Sequence, residues 1–186
     1  TFIGGLMEHI EEAGIHSGDS SCSIPALTLS DAMIEEIRCQ AEALGRELKL
    51  KGFLNIQFAL HADRLYVLEV NPRASRTLPF VCKATGVNWI KPAVRAMLGI
   101  SFKAQNLSAP SLRPRDFTHY AVKGVVFPFL KFPGTDVLLG PEMKSTGEVM
   151  GIGADFNEAF VKGLMAAGHK LPRQGQVFVS VRDSDK

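Results

Sequence analysis

Three side chains with amide or carboxylate oxygens, Gln57, Glu69 and Asn71, lie on two neighbouring segments whose apolar residues alternate. Such alternation predicts β-strands, in which residues two apart share a face, so Glu69 and Asn71 project together. A hairpin that turns at residues 61–64 would place Gln57 opposite Leu68 or Glu69. Oxygen donors of this kind suit Mg²⁺, which usually keeps waters and phosphate oxygens in its remaining positions. The spacing indicates a magnesium site, with a solvated strand end as the alternative.

Two arginines, Arg73 and Arg76, directly follow this cluster. Guanidinium groups bind phosphates and carboxylates through paired hydrogen bonds. A carboxylate that bridges two Mg²⁺ ions is a recurrent device in phosphoryl transfer, because the ions neutralise phosphate charge and align the reacting oxygens. The cluster therefore fits phosphoryl transfer, while the arginines taken alone also fit ordinary surface charges.

The segment AGIHSGDS, residues 13–20, places His16 and Ser17 between two glycines, Gly14 and Gly18. Glycines allow the backbone to approach a ligand closely, and the amides of such a turn can cradle an anion. An ordinary turn is the alternative. The sequence contains no metalloprotease-type histidine pair and no nucleophile motif, so covalent catalysis has no support.

The composition excludes several other classes of function. The 186 residues are 46% hydrophobic and carry a formal net charge of +2, which gives enough apolar material for a folded core. The charges form no long run, so we expect no nucleic-acid partner. No stretch approaches the roughly 18 apolar residues of a membrane helix, so we expect no membrane partner. Three widely spaced cysteines, Cys22, Cys39 and Cys82, form no disulfide or zinc pattern and predict a cytoplasmic protein.

The elements that position the candidate site follow from hydrophobic periodicity and capping signals. Ser30 is a candidate N-cap for an amphipathic helix that extends to Leu48. From Phe53 to Leu60 the period changes to two, and residues 65–70 repeat this pattern after a short polar stretch. These signals predict a helix followed by a β-hairpin.

Beyond the hairpin the pattern predicts further segments. They are a helix over 87–97, a loop over 101–115, a strand over 120–129, short strands and tight turns over 134–153, and a helix from Asp155 to Gly168. The chain opens on Thr1 and closes on a strand pattern over 177–186. We interpret it as an internal segment of a longer protein.

Several stretches of the sequence resemble the large subunit of carbamoyl-phosphate synthase, and together they cover nearly the whole chain. They are MEHIEEAGIHSGDSSCSIPA, NIQFAL, LEVNPRASRTLPFVCKATGV and FPFLKFPGTDVLLGPEMKSTGEVMGIG. The E-x-N-x-R core within them is shared by many ATP-grasp enzymes, including biotin carboxylases, whereas the flanking stretches are similar to the synthase. HSGDS, TLPFV and FPGTDVLLGPEM resemble the second of the two ATP-grasp halves, the one that phosphorylates carbamate.

The resemblance implies an α/β (α+β) fold: the C-terminal lobe of an ATP-grasp domain, an antiparallel sheet with flanking helices, plus a segment that connects to a regulatory domain. Residues 1–108 would be the C-terminal part of the ATP-grasp domain. Residues 109–168 would be the trailing segment of the carbamoyl-phosphate synthetic unit, and residues 169–186 the start of a truncated regulatory domain.

The resemblance also implies a role for each candidate residue. Glu69 would bridge two Mg²⁺ or Mn²⁺ ions, with Gln57 on one ion and Asn71 on the other. Arg73 and Arg76 would be the catalytic residues that stabilise carbamate and the transferring phosphoryl group. Contacts to ATP would come from Gly14, Ile15, His16, Ser17, Gln57 and Glu69.

The implied partners are ATP, carbamate, the remainder of the large chain and a glutaminase small subunit, and the product would feed pyrimidine and arginine synthesis. The preceding lobe of the ATP-grasp unit would lie outside this chain, so we expect the isolated chain to be inactive or nearly so. Two alternatives from other classes are a ligase of the biotin carboxylase type and a noncatalytic structural module.

Overall fold

The computed structural model describes residues 1–129, 132, 134, 136–172 and 174–181. Strands and helices alternate along the chain without a strict repeat. The strands are β1 (Glu8–His9), β2 (Cys22–Ile24), β3 (Asn55–His61), β4 (Arg64–Asn71), β5 (Tyr120–Val126) and β6 (Gly147–Gly153). The helices are α1 (Asp31–Glu47), α2 (Leu78–Thr85), α3 (Ile90–Met97) and α4 (Phe156–Ala166).

Four strands form one antiparallel sheet in the order β1-β2-β5-β6. The strand β2 pairs with β5, so the sheet joins the N-terminal part of the chain to the part beyond residue 109. One sheet thus contains strands from both sides of the domain boundary proposed at residues 108 and 109, and that division stays a prediction.

The two faces of this sheet have different neighbours. On one face, α4 approaches so closely that a Cβ atom on Gly151 would lie 2.0 Å from the carbonyl oxygen of Ala159. On the other face, Ile24 and Ala121 pack in the core with Phe80 and Ala84 of α2. Lys123 is two residues from Ala121 on β5 and therefore faces the same way, toward α2.

The strands β3 and β4 form a separate two-stranded sheet, the predicted hairpin. Its turn consists of Ala62 and Asp63, which both have positive φ. This is the conformation of a type I′ turn, whose twist matches that of the flanking strands. The prediction of a hairpin with a short loop is confirmed.

Two of the predicted helices are also confirmed, together with their capping residues. The hydroxyl of Ser30 accepts a hydrogen bond from the backbone N–H of Met33 at the start of α1. The carboxylate of Asp155 accepts one from the backbone N–H of Glu158 at the start of α4. A side-chain acceptor at this position satisfies an amide that has no partner within the helix.

The structure differs from the sequence predictions in several places: strands β1 and β2 were not predicted, and β5 ends at Val126 rather than at residue 129. Helix α2 was not predicted. Its eight residues are too few to show a helical period in the hydrophobic residues, and Pro79 lies near its start. Helix α3 begins at Ile90 rather than residue 87, since Asn88 accepts a hydrogen bond from the Ile90 amide. No strand forms over 177–181, where the side chains are exposed and no described strand pairs with them.

Some predictions extend to residues that the structure does not describe. Residues 182–186 of the C-terminal strand pattern, residue 173 of the predicted regulatory segment, and Pro133 and Thr135 of the FPGTDVLLGPEM stretch lie outside the described residues. Within the described part of the chain, no helix combines the length and the apolar character needed to cross a bilayer.

Candidate active site

A β-bulge in the hairpin decides which residues face each other. Phe58 pairs with Val67, but the next residue, Gln57, pairs with Glu69, so β4 contains one extra residue, Leu68. Directly opposed residues of an antiparallel pair share a face. Of the two pairings that the sequence left open, the structure therefore has Gln57 opposite Glu69.

The same register pairs Asn55 with Asn71, and all four polar residues lie on one face of the hairpin. Within the part of the chain that the structure describes, the side chains of Gln57, Glu69 and Asn71 form no hydrogen bond or ion pair. Their oxygens are therefore available to a ligand. The predicted convergence of these three residues is present in the pairing.

The donor set fits a hard divalent cation better than a soft one. It consists of one carboxylate and two carboxamides, all of them oxygen ligands. Among the described residues, no group of three or more His, Cys, Asp and Glu side chains could hold a metal ion. A cation bound to these three oxygen donors alone would keep open positions for water or phosphate oxygens.

The hairpin face opens onto a cleft of about 1170 Å³. The arginines predicted to bind anions, Arg73 and Arg76, line it between β4 and α2. His16 and Ser17 line the same cleft from the chain segment before β2. The residues from the three separate sequence motifs are thus brought to one cavity: His16, Ser17, Gln57, Glu69, Asn71, Arg73 and Arg76.

Two of the predicted nucleotide-binding residues do not line this cleft. Gly14 is exposed, and Ile15 lies beside it, with its backbone N–H bonded to the carbonyl of Glu12. Gly18 has the role expected of a closely packed glycine instead. A Cβ atom there would lie 2.7 Å from Nη2 of Arg76 and 3.1 Å from Nδ1 of His16.

The loop that carries His16 and Ser17 is fixed to the loop before β6. The backbone N–H of His16 donates to the carbonyl of Gly140. The fully buried carboxylate of Asp19 accepts hydrogen bonds from the backbone amides of Lys144 and Ser145, at 2.7 and 2.8 Å. Burial alone would raise the pKa of Asp19, but the hydrogen bonds from Ser145 and Lys144 outweigh burial and lower that pKa.

A chain of charges extends from Arg76 into the interior of the protein. Lys123 is fully buried, and its Nζ lies 3.7 Å from Oε1 of Glu148. The same Glu148 oxygen lies 3.7 Å from Nη2 of Arg76. Burial, helped by the charge of Lys123, lowers the pKa of His9. Burial raises the pKa of the Cys22 thiol to about 12, against the opposing effect of Lys123.

Comparison with known families decides where this arrangement belongs. The sequence matches the family described as "Carbamoyl-phosphate synthase L chain, ATP binding domain" over residues 4–105, which is more than half of the chain. The chain belongs to this carbamoyl-phosphate synthase family. The matched residues include the 16–18 loop, the hairpin and both arginines, so the family assignment rests on the segments that line the cleft.

Curated relatives of the synthase match almost all of the chain. The carbamoyl phosphate synthase large chain of Pasteurella multocida (strain Pm70) is 54% identical over 99% of this chain. The large chain of Ralstonia nicotianae (strain ATCC BAA-1114 / GMI1000) is 52% identical over 100% of it. In both comparisons the chain spans 17% of the relative's length. The chain thus corresponds to one segment of a synthase large chain.

Solved structures of other enzymes share the fold. The urea amidolyase of K. lactis aligns with 78% of this chain and 10% of its own, at a TM-score of 0.57 and 21% identity. The biotin carboxylase domain of a single-chain bacterial carboxylase aligns with 73% of this chain and 36% of its own, at a TM-score of 0.53 and 19% identity. At these identities the likeness concerns the fold alone.

Sequence reasoning missed three charged residues of this synthase segment: Lys123 and Asp19 are fully buried, and Glu148 is partly buried. Lys123 is a single cation within the apolar strand pattern YAVKGVV, and that interruption was the signal available for it. Glu148 and Asp19 carry no comparable signal, because each lies in a polar, glycine-containing stretch typical of a surface turn. Their burial depends on strand pairing between distant parts of the chain.

Proposed function

We propose that the complete enzyme uses this cleft to phosphorylate carbamate, in the reaction ATP + carbamate → ADP + carbamoyl phosphate. A carbamate oxygen attacks the γ-phosphorus, the bond from that phosphorus to the bridging oxygen breaks, and its electron pair leaves with ADP. The observation that supports this proposal is the hairpin face on which Gln57, Glu69 and Asn71 converge, next to Arg73 and Arg76.

The hairpin residues would hold the cations that accompany the nucleotide. We assign Glu69 as the ligand shared by two Mg²⁺ or Mn²⁺ ions, with Gln57 on one and Asn71 on the other. Bound there, the cations would neutralise phosphate charge and help align the reacting oxygens. The oxygen-only donor set agrees with this assignment.

The remaining cleft residues act on the anions. His16 and Ser17 face the nucleotide from the loop beside Gly18, with Gly14 and Ile15 as further contacts predicted by resemblance. Arg73 and Arg76 stabilise carbamate and the transferring phosphoryl group, because their charge and planar donors complement the oxygens on which negative charge develops. No covalent protein intermediate is required.

The wider context of the reaction is also part of this proposal. The segment would belong to the second ATP-grasp half of the large chain, while a glutaminase small subunit would supply nitrogen for the preceding steps. The product would enter pyrimidine and arginine synthesis. A cytoplasmic location agrees with the three free thiols of Cys22, Cys39 and Cys82.

The decisive experiment measures the reverse reaction in the complete large chain that contains this segment. ATP formed from carbamoyl phosphate and MgADP is followed in the wild type and in Glu69→Ala. We expect the substitution to lower the rate by about a hundredfold or more, since it removes the carboxylate assigned to hold the cations that neutralise phosphate charge. Glu47→Ala, which removes an exposed carboxylate at the end of α1, is the matched control and should retain the wild-type rate.

The outcome separates this proposal from its alternatives. A folded wild-type chain that forms no ATP from carbamoyl phosphate would leave only the fold and favour another ligase. Full activity in Glu69→Ala would indicate that the hairpin is a structural support. Calorimetry of ADP binding with and without Mg²⁺ checks the cation separately, because loss of the carboxylate should remove the Mg²⁺-dependent part of the affinity.

A further inference from the structure

Lys123 is a buried cation that needs a compensating charge. Its side chain is fully buried, and its Nζ donates a hydrogen bond of 3.2 Å to the carbonyl oxygen of Ser17. Glu148 is the ion-pair partner of Lys123 within the part of the chain that the structure describes. A buried ammonium group without a counter-charge is strongly unfavourable, so this pairing fixes the Glu148 carboxylate from the interior side.

The outer side of the same carboxylate holds Arg76. Oε1 of Glu148 lies 3.7 Å from Nη2 of Arg76, whose side chain is 50% exposed, against 17% for Glu148. Among the described residues, Arg76 has no other ion-pair partner. The guanidinium also lies across Gly18, where a Cβ atom would come within 2.7 Å of Nη2. Arg76 is therefore confined between a fixed carboxylate and the 16–18 loop.

We propose that Glu148 is a positioning residue that orients the Arg76 guanidinium toward the transferring phosphoryl group. This inference rests on the proposed function, because it assigns the partner of a residue in that same site. Glu148 approaches the guanidinium at Nη2, and both side chains line the cleft. A long arginine side chain without this contact would sample many rotamers.

The buried lysine extends this arrangement to the nucleotide side of the cleft. Lys123 binds the Ser17 carbonyl and the Glu148 carboxylate through one ammonium group. The loop that faces the nucleotide and the arginine that faces the acceptor are thus held by the same two side chains. Lys123 and Glu148 themselves lie on the paired strands β5 and β6.

The test is a double-mutant cycle in the complete large chain, with ATP formation from carbamoyl phosphate and MgADP as the assay. Glu148→Gln should lower kcat between about tenfold and hundredfold, as expected for a misplaced group, with the KM for ADP unchanged. In an Arg76→Ala chain, the same substitution should lower kcat by less than about twofold more. Glu142→Gln, at an exposed carboxylate of the neighbouring loop, is the control and should match the wild type.

Glu148→Gln leaves Lys123 without its ion-pair partner, which could destabilise the protein. A second background keeps the test valid in that case. Lys123→Met removes that charge, and Glu148→Gln is then compared with Lys123→Met alone, with the melting temperature recorded for each chain. A positioning role predicts that adding Glu148→Gln to Lys123→Met lowers kcat while the melting temperature does not fall further. A purely structural role predicts that kcat does not fall in this comparison.

The proposal would be overturned if Glu148→Gln retained the wild-type kcat. It would also be overturned if Glu148→Gln lowered kcat by the same factor in the Arg76→Ala chain as in the wild type. These results differ from failure of the proposed function. In that case, the wild type or Glu69→Ala would already give the contradicting result, before any Glu148 variant is compared.

Discussion

Asp19 shows how one buried carboxylate can hold two loops together. Its two oxygens accept hydrogen bonds from two consecutive backbone amides, those of Lys144 and Ser145. An asparagine at this position has only one acceptor oxygen, and its NH₂ group would face a second N–H donor. We expect Asp19→Asn to destabilise the chain by about 1–3 kcal/mol, because a buried donor loses its partner.

The pH dependence of this effect has a definite sign. The folded pKa of Asp19 lies below its ordinary value of 3.8. The ionised carboxylate therefore contributes stability that is fully present above about pH 5 and is lost as the pH falls through 3.8 toward the folded pKa. The difference in melting temperature between the wild type and Asp19→Asn should be constant near neutrality and shrink in acid.

Thermal denaturation followed by circular dichroism measures this difference across a pH series. Asp63→Asn, at the exposed hairpin turn, is the matched control, because the same substitution there removes no buried acceptor. An equal loss of stability in both variants, or a difference that grows in acid, would contradict the assignment of Asp19 as a buried anchor between loops.

At the level of single residues, the sequence predicted the part of the site that depends on local pattern. Glu69 and Asn71 are two apart in one strand, and Gln57 is across a short turn, so a local argument placed all three together. Lys123 and Glu148 come together only because the distant strands β5 and β6 pair. Such contacts depend on tertiary structure, which the hydrophobic periodicity of the sequence does not indicate.

At the level of elements, the bulge in β4 has a consequence that a regular strand would not have. In a regular strand residues 67 and 69 share a face, but here Val67 pairs with Phe58 and Glu69 pairs with Gln57, which are adjacent and face opposite ways. Transposing the two residues, as Val67→Glu with Glu69→Val, should therefore remove the carboxylate from the site. We expect Mg²⁺-dependent ADP binding to fall as far as in Glu69→Ala.

Isothermal calorimetry on the complete large chain measures this binding. Val67→Glu alone, with Glu69 kept, is the control: position 67 is 44% exposed, so the added charge should leave folding and binding unchanged. Recovery of binding in the transposed chain would mean that β4 is regular in solution and that residues 67 and 69 share a face.

Some helices and strands could be predicted from local sequence patterns, whereas others form only through pairing with distant parts of the chain. Helices α1 and α4 begin at side-chain caps and have long amphipathic patterns, and the hairpin has period-two strands around a short turn, so each could be predicted. Strands β1 and β2 are two and three residues long and exist through pairing with each other and with β5. The strand pattern at 177–181 shows the converse, since it has no described strand to pair with.

At the level of the whole molecule, the cleft residues assigned to the reaction are accessible to solvent in this chain. Glu69 is exposed, and the Arg76 side chain is 50% exposed. Phosphoryl transfer depends on aligning the reacting groups and on excluding water, and side chains this exposed provide neither. The isolated 186-residue chain should therefore form ATP from carbamoyl phosphate and MgADP at a rate near background.

The measurement compares this chain with the complete large chain at equal molar concentration, in the reverse reaction and in ATP hydrolysis. Circular dichroism and a cooperative melting transition establish that the isolated chain is folded, so that a low rate reflects missing parts of the site rather than unfolding. A folded isolated chain with rates comparable to the complete chain would contradict the prediction. The residues from His16 to Arg76 would then suffice for catalysis, and alignment would have to come from the hairpin and the 16–18 loop alone.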